Sequence, residues 1–120
     1  MNIINRDNVK PFITKDSSEI REILAPRNSI IQRQSLAEAR LLPGLSTEEH
    51  YHPQTEEIYY ILTGSGRMVI DGESRDVKKH DGIAIPPGAR HKITNTGTDD
   101  LIFLCCCVPA YEDDDTVVTE

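Results

Sequence analysis

From residue 30 onward, short apolar runs alternate with polar positions and are cut at close intervals by turn residues. The stretch "SLAEARLL" puts Ala37, Ala39 and Leu41 on one face of a strand and Glu38 and Arg40 on the other, following the two-residue side-chain period. Pro43-Gly44 ends it. A strand around Glu48 to His52 follows, Pro53 breaks it, and Glu57 to Leu62 resumes. Gly64-Ser65-Gly66 is a turn, and Asp71-Gly72 between "RMVI" and "ESRDV" is a strong two-residue hairpin signal. "IAI" runs into Pro86-Pro87-Gly88, "HKIT" into Asn95-Thr96-Gly97, and "LIFLCCCV" ends at Pro109. Seven or eight short strands so spaced predict an all-β fold, a small antiparallel barrel or sandwich.

The ends are less regular. "SSEIREILA", bracketed by Pro11 and Pro26, fits one helical turn with Ile20, Ile23 and Leu24 on one side, or an extended arm. The extended arm, lying on the barrel, is favoured. The chain then divides into an N-terminal arm (1–29), a barrel (30–108) and an acidic tail (109–120). The run Glu112 to Asp115 is expected to be solvated, the usual state of a block of like charges. On the strand from Glu57 to Leu62, the face opposite Glu57 carries Ile58, Tyr60 and Leu62. A solvated outer face should be polar, so this one needs a cover, and a homodimer is expected.

Composition narrows the picture. With 120 residues, 38% hydrophobic and 28% charged, the chain fits one globular domain. A net charge of −7 and the lack of a basic patch argue against nucleic acid as a partner. No apolar run approaches the roughly 18 residues that span a bilayer, and the first residues lack the order of a secretory signal. No membrane partner is expected, and the location read from this is cytoplasmic. The three cysteines are consecutive, Cys105-Cys106-Cys107. Neighbours bridge only with strain, so they read as small buried side chains of a final strand, with Cys105 and Cys107 facing one way.

The candidate chemistry lies in "HYHPQTEEIYYILTG", residues 50–64. His50 and His52 point to one face of their strand, and Glu57 follows Pro53 on the next, where an antiparallel return would set it opposite the pair. His91 opens another strand just after "IPPGAR", whose prolines stiffen the approach. Three imidazoles and a carboxylate converging inside a barrel form a plausible shell for a divalent transition metal.

Gly44, His50, His52, Glu57 and Gly64 fit the spacing of the first cupin motif, and Pro86, Gly88, His91 and Asn95 fit the second. The chain therefore resembles the cupin superfamily, as a small single-domain metal-binding cupin of the sugar-isomerase-like or polyketide-cyclase-like sort. The resemblance implies a double-stranded β-helix (jelly-roll) barrel with His50, His52, Glu57 and His91 as ligands of one divalent ion: iron, manganese, nickel, cobalt or zinc. Two places on a six-coordinate ion would stay open for water, substrate or oxygen. One position departs: His80 stands where the motif has a turn glycine. Histidine enters positive φ more readily than most residues, so His80 reads as a turn residue and not a ligand. Glu56 should face away from the site, while Tyr59 shares Glu57's face and is the candidate substrate-positioning hydroxyl. Arg40, Arg67 and Arg90 are alternatives for anchoring an anionic substrate. The expected function is a metal-dependent enzyme acting on a small organic molecule, with dioxygenase-type oxidation ahead. Lewis-acid isomerase, cyclase or lyase chemistry, which wants a general base the sequence does not offer, comes next, then plain small-molecule binding.

Overall fold

The computed structural model describes all of residues 1–120 and forms two antiparallel sheets facing each other. One sheet has the spatial order β1 (Phe12–Ile13), β2 (Glu19–Leu24), β3 (Ser35–Leu41), β10 (Leu101–Val108), β5 (Glu56–Thr63) and β8 (Gly82–Ile85). The other has the order β11 (Val117–Val118), β4 (His50–Tyr51), β9 (His91–Asn95), β6 (Ser65–Ile70) and β7 (Glu73–Lys78). This is the jelly-roll barrel that the strand pattern and the motifs predict. No helix is long and apolar enough to cross a membrane.

The alternation seen in the sequence decides which side chains enter the core. Along β5, Glu57, Tyr59 and Ile61 are buried while Glu56, Ile58 and Tyr60 are exposed. Along β10, Leu101, Phe103, Cys105 and Cys107 are buried, and Cys106 faces partly outward. Ala37, Ala39 and Leu41 of β3 and Ile93 of β9 complete the interior. Ile61 and Ile93 have no solvent exposure. Part of this core, including Ala37, Ala39, Tyr59, Phe103 and Cys105, also borders the cavity beside His50 and His52.

One alternative left open by the sequence is decided, and two details depart from the sequence reading. "SSEIREILA" contains no helical turn. Its β2 pairs with β3, Ile20 beside Ala39 and Glu22 beside Ala37, which turns Ile20 onto the core. A strand in register between β1 and β3 satisfies backbone groups that a single helical turn would leave open. The strand around Glu48 to His52 shrinks to His50–Tyr51. The acidic run is not simply solvated: Glu112, Asp113 and Asp114 are exposed, but Asp115 turns inward and leads into β11, which pairs with β4. Lys15 fastens the two ends of the chain by donating to the carbonyls of Asp113 and Thr116.

Two turns show why their residues matter. Gly64 has φ +90°, and a Cβ there would meet the Asp100 carbonyl oxygen at 2.7 Å. His80 sits between β7 and β8 with φ 78°, exposed, its N–H donating to Ile61 O. It is a turn residue, far from the chemistry.

Candidate metal centre

Strand pairing alone sets His50 beside His91, since β4 and β9 put them in register. Their ring centroids are 4.2 Å apart, and His52 lies 5.1 Å from His50 and 5.6 Å from His91. All three rings are buried, and one nitrogen from each lies within 4.8 Å of the others. Glu57 arrives by a different route from the one expected. Pro53 does not begin an antiparallel return beside β4; the chain crosses to the facing sheet, and Glu57 reaches the histidines across the barrel interior. Its Oε1 lies 3.4 Å from His52 Nε2 and 3.5 Å from His91 Nε2. Its Oε2 accepts from the Cys107 thiol at 3.2 Å, a task the sequence reading had not given that cysteine.

Backbone carbonyls fix the orientation of each imidazole. Nδ1 of His50 faces Glu48 O at 2.8 Å, that of His91 faces Ala89 O at 2.9 Å, and that of His52 faces Asp115 O at 3.2 Å. A carbonyl only accepts, so each Nδ1 carries a proton and each ring turns its Nε2 inward. In the neutral form of a ring that Nε2 is a lone pair, and it then faces a carboxylate oxygen. Glu57 Oε1 and His91 Nε2 are buried without a hydrogen-bond partner. Such an orphan costs on the order of 1–3 kcal/mol, and more when charged. A cation between them removes the conflict. Two donors about 2.1 Å from one ion lie roughly 3.0–3.4 Å apart, close to the spacing seen. The donor set fits a divalent ion, and the three histidines could hold one.

The electrostatics express the same demand. Burial alone would raise the Glu57 carboxyl, but the facing His52 and His91 rings hold it down at about 2. Burial, aided by repulsion from His91, pushes His50 down, whereas at His52 burial is outweighed by Glu57 and the ring is pushed up. Burial, with the negative Glu57 nearby, pushes the Tyr59 phenol well up, so Tyr59 keeps its proton. The Cys105 and Cys107 thiols are pushed up by the same two causes.

His50 and His52 open on a cavity of about 30 Å³ bordered by Asp16, Glu22, Glu57, Tyr59, Phe103 and Tyr111, among others. That is room for about two water-sized groups. Tyr59 reaches it, packed on Phe103 with centroids 4.6 Å apart and edge-on to His91 at 5.9 Å. The arginines do not reach it. Arg40 pairs with Glu19 and Asp100, Arg67 pairs with Asp76, and Arg90 lies over the Tyr51 ring. Glu56 points outward, as its parity requires. Sequence reasoning missed Asp16, whose Oδ2 lies 3.4 Å from His50 Nε2. Its only local signal is an aspartate two residues before Ser18, which suggests a turn but not where the turn points.

Residues 37–107 match the family model described as "Cupin domain". The chain belongs to the cupin family. This cupin is 50% identical over 114 residues to an uncharacterized protein of Methanocaldococcus jannaschii, covering 95% of this chain and 91% of that one. It is 33% identical over 94 residues to the oxalate-binding protein of Thermotoga maritima, 78% of each chain. Among solved structures, a predicted oxalate decarboxylase from Thermotoga maritima superposes with a TM-score of 0.79 at 29% identity, covering 90% of this chain and 99% of that one. The polyketide cyclase RemF from Streptomyces resistomycificus has a TM-score of 0.79 at 25% identity, covering 90% and 79%.

Proposed function

We propose that this cupin is a metal-dependent enzyme acting on a small organic molecule, with His50, His52, Glu57 and His91 holding one divalent transition ion. The observation that carries the proposal is the buried, unpartnered pair of Glu57 Oε1 and His91 Nε2 facing each other beside two further inward Nε2 atoms. Removing a cation from such an arrangement leaves lone pairs opposed in a site of low dielectric.

The other residues suit oxidation better than proton shuffling. Tyr59 stays protonated, so it donates a hydrogen bond that orients a substrate oxygen rather than abstracting a proton. Glu22 is tied to Arg27 at 2.6 Å, and Asp16 has one oxygen filled by three donors. Its other oxygen, Oδ2, faces His50 Nε2 at 3.4 Å. The ring of Phe103 and the alanines of β3 give the cavity an apolar wall, and its size admits the head of a substrate rather than its whole body. An iron or manganese ion bound here would supply oxygen activation, whereas zinc would only polarise a carbonyl. The test loads the metal-free protein with ferrous iron or zinc and follows oxygen consumption across a panel of small hydroxy-, keto- and carboxylic compounds. Oxygen-linked turnover with iron and none with zinc is expected. Undiminished anaerobic turnover with zinc bound would refute it.

That second outcome would favour Lewis-acid chemistry without redox change, a reading supported by the likeness to the polyketide cyclase RemF. The outer face of β5 supports pairing of the chain with itself. Ile58 is 51% and Tyr60 39% exposed, and neither is covered by the N-terminal arm, which lies at the far edge of the same sheet.

A further inference from the structure

We infer that Asp16 is a fifth protein ligand of the metal centre, presented by the N-terminal arm. The inference rests on reading His50, His52, Glu57 and His91 as that centre, and extends it to a residue outside both cupin motifs. Asp16 and Glu57 are handled alike. In each carboxylate one oxygen is occupied by protein donors and the other faces an imidazole Nε2. For Glu57 the donor is the Cys107 thiol on Oε2, leaving Oε1 at 3.4 and 3.5 Å from His52 and His91. For Asp16 the Thr14 hydroxyl at 2.6 Å, the Ser18 hydroxyl at 2.6 Å and the Ser18 N–H at 3.0 Å all converge on Oδ1. Oδ2 is left facing His50 Nε2 at 3.4 Å.

His50 donates its only proton to Glu48 O, so a lone pair meets a carboxylate oxygen here too. The distance is again that between neighbouring ligands of one ion, roughly 3.0–3.4 Å. Asp16 meets the cluster at His50, while Glu57 meets it at His52 and His91.

The turn that presents Asp16 is built rather than incidental. The Thr14 N–H donates to Ser18 O, the Ser17 N–H donates to Thr14 O, and Ser17 takes φ 75°, costly for a residue with a Cβ. The Glu48 N–H holds the Asp16 carbonyl at 2.8 Å, so the turn is pinned to the segment that leads into His50. Lys15 anchors it from the other side on the tail. Two carboxylates with three neutral imidazoles neutralise a divalent ion. They also leave a six-coordinate ion one open place instead of two. Ligands that bind through a single atom then fit directly, and a chelating dicarboxylate must first displace Asp16.

The experiment titrates metal-free wild type, Asp16→Asn and Asp16→Ala with cobalt(II) against a competing chelator. It records the visible spectrum of each complex and the thermal midpoint of each metal-free protein. Asparagine keeps an oxygen for the Thr14 and Ser18 donors and turns an N–H toward the His50 lone pair. The metal-free Asp16→Asn protein should therefore melt no lower than wild type, while its cobalt affinity falls at least about tenfold. Its cobalt spectrum should change in band shape and intensity, the signature of an altered ligand set, and Asp16→Ala should show the same loss. Weaker binding with a wild-type spectrum would make Asp16 an outer carboxylate and overturn the inference, as would unchanged affinity. If wild type itself binds no cobalt, the metal centre as a whole fails, a result distinguishable from failure of Asp16 alone.

Discussion

Replacing Asp115 with alanine should loosen the metal centre from outside it. The Asp115 carboxylate accepts from the Gln54 N–H at 3.1 and 3.3 Å and from the Thr55 N–H at 3.0 Å. Gln54 is exposed, so its N–H finds water after the substitution and the loss there is small. Thr55 is only 2% exposed, so its donor is left buried and unpaired. That costs on the order of 1–3 kcal/mol. For a chain of this length each kcal/mol moves the thermal midpoint by about 4 °C, so a fall of roughly 4–12 °C is expected for the metal-free protein. The same two residues link His52 to Glu57, and disturbing such a support should weaken metal binding by about 10–100-fold. Asp115→Asn keeps one acceptor and should fall between alanine and wild type. Calorimetry and a chelator-competition titration measure the two effects. A change below about 0.5 kcal/mol together with unaltered metal affinity would show that the loop is held by something else.

Three further outcomes follow from the same geometry. His52→Ala should abolish stoichiometric metal by elemental analysis, while His80→Gly should bind as wild type and melt no lower, because glycine enters the φ of 78° without a Cβ penalty. Burial raises the Glu22 carboxyl above its ordinary value of 4.5, with Arg27 opposing and Glu112 assisting. A raised acid binds its proton more tightly when folded, so it stabilises the fold below the unfolded value and that contribution is lost as pH rises through the folded one. Denaturant titrations should therefore show wild type losing stability relative to Glu22→Gln as pH rises above the ordinary value of 4.5, and a flat difference would contradict this. Light scattering at micromolar concentration should give the mass of a dimer, and Tyr60→Glu with Ile58→Glu should give a monomer; a monomeric wild type would remove the case for pairing.

The histidine cluster was legible because its determinants are local. Parity on β4 and β5, the proline bend before His91 and the motif spacing all act within a few residues. The route of Glu57 was not, since Pro53 announces a break without saying whether the chain turns back or crosses to the facing sheet. Asp16 and Asp115 were hidden for a related reason. Each acts across a long separation in sequence, Asp16 on His50 and Asp115 on Gln54 and Thr55. Nothing in "TKDSS" or "EDDDT" names a distant partner. The extended arm was favoured correctly, but its pairing with β3 depends on register, which the isolated stretch does not specify. Cys107 was rightly placed inside, yet its bond to Glu57 needs β10 beside β5, a neighbour relation between strands far apart in the chain.

The join between β11 and β4 has a kinetic meaning. It consists of two residue pairs, Val117 with Tyr51 and Val118 with His50, supplemented by Thr119 on the Glu49 carbonyl. So short a ladder opens at a free-energy cost well below that of unfolding the barrel. Because His50 lies on this ladder and His52 leans on the Asp115 carbonyl, each opening of the tail loosens the support of two proposed ligands at once. The residence time of an ion would then be set by how often the last few residues peel away. Exchange of metal and loss of the fold become separate clocks, the first fast and local, the second slow and global.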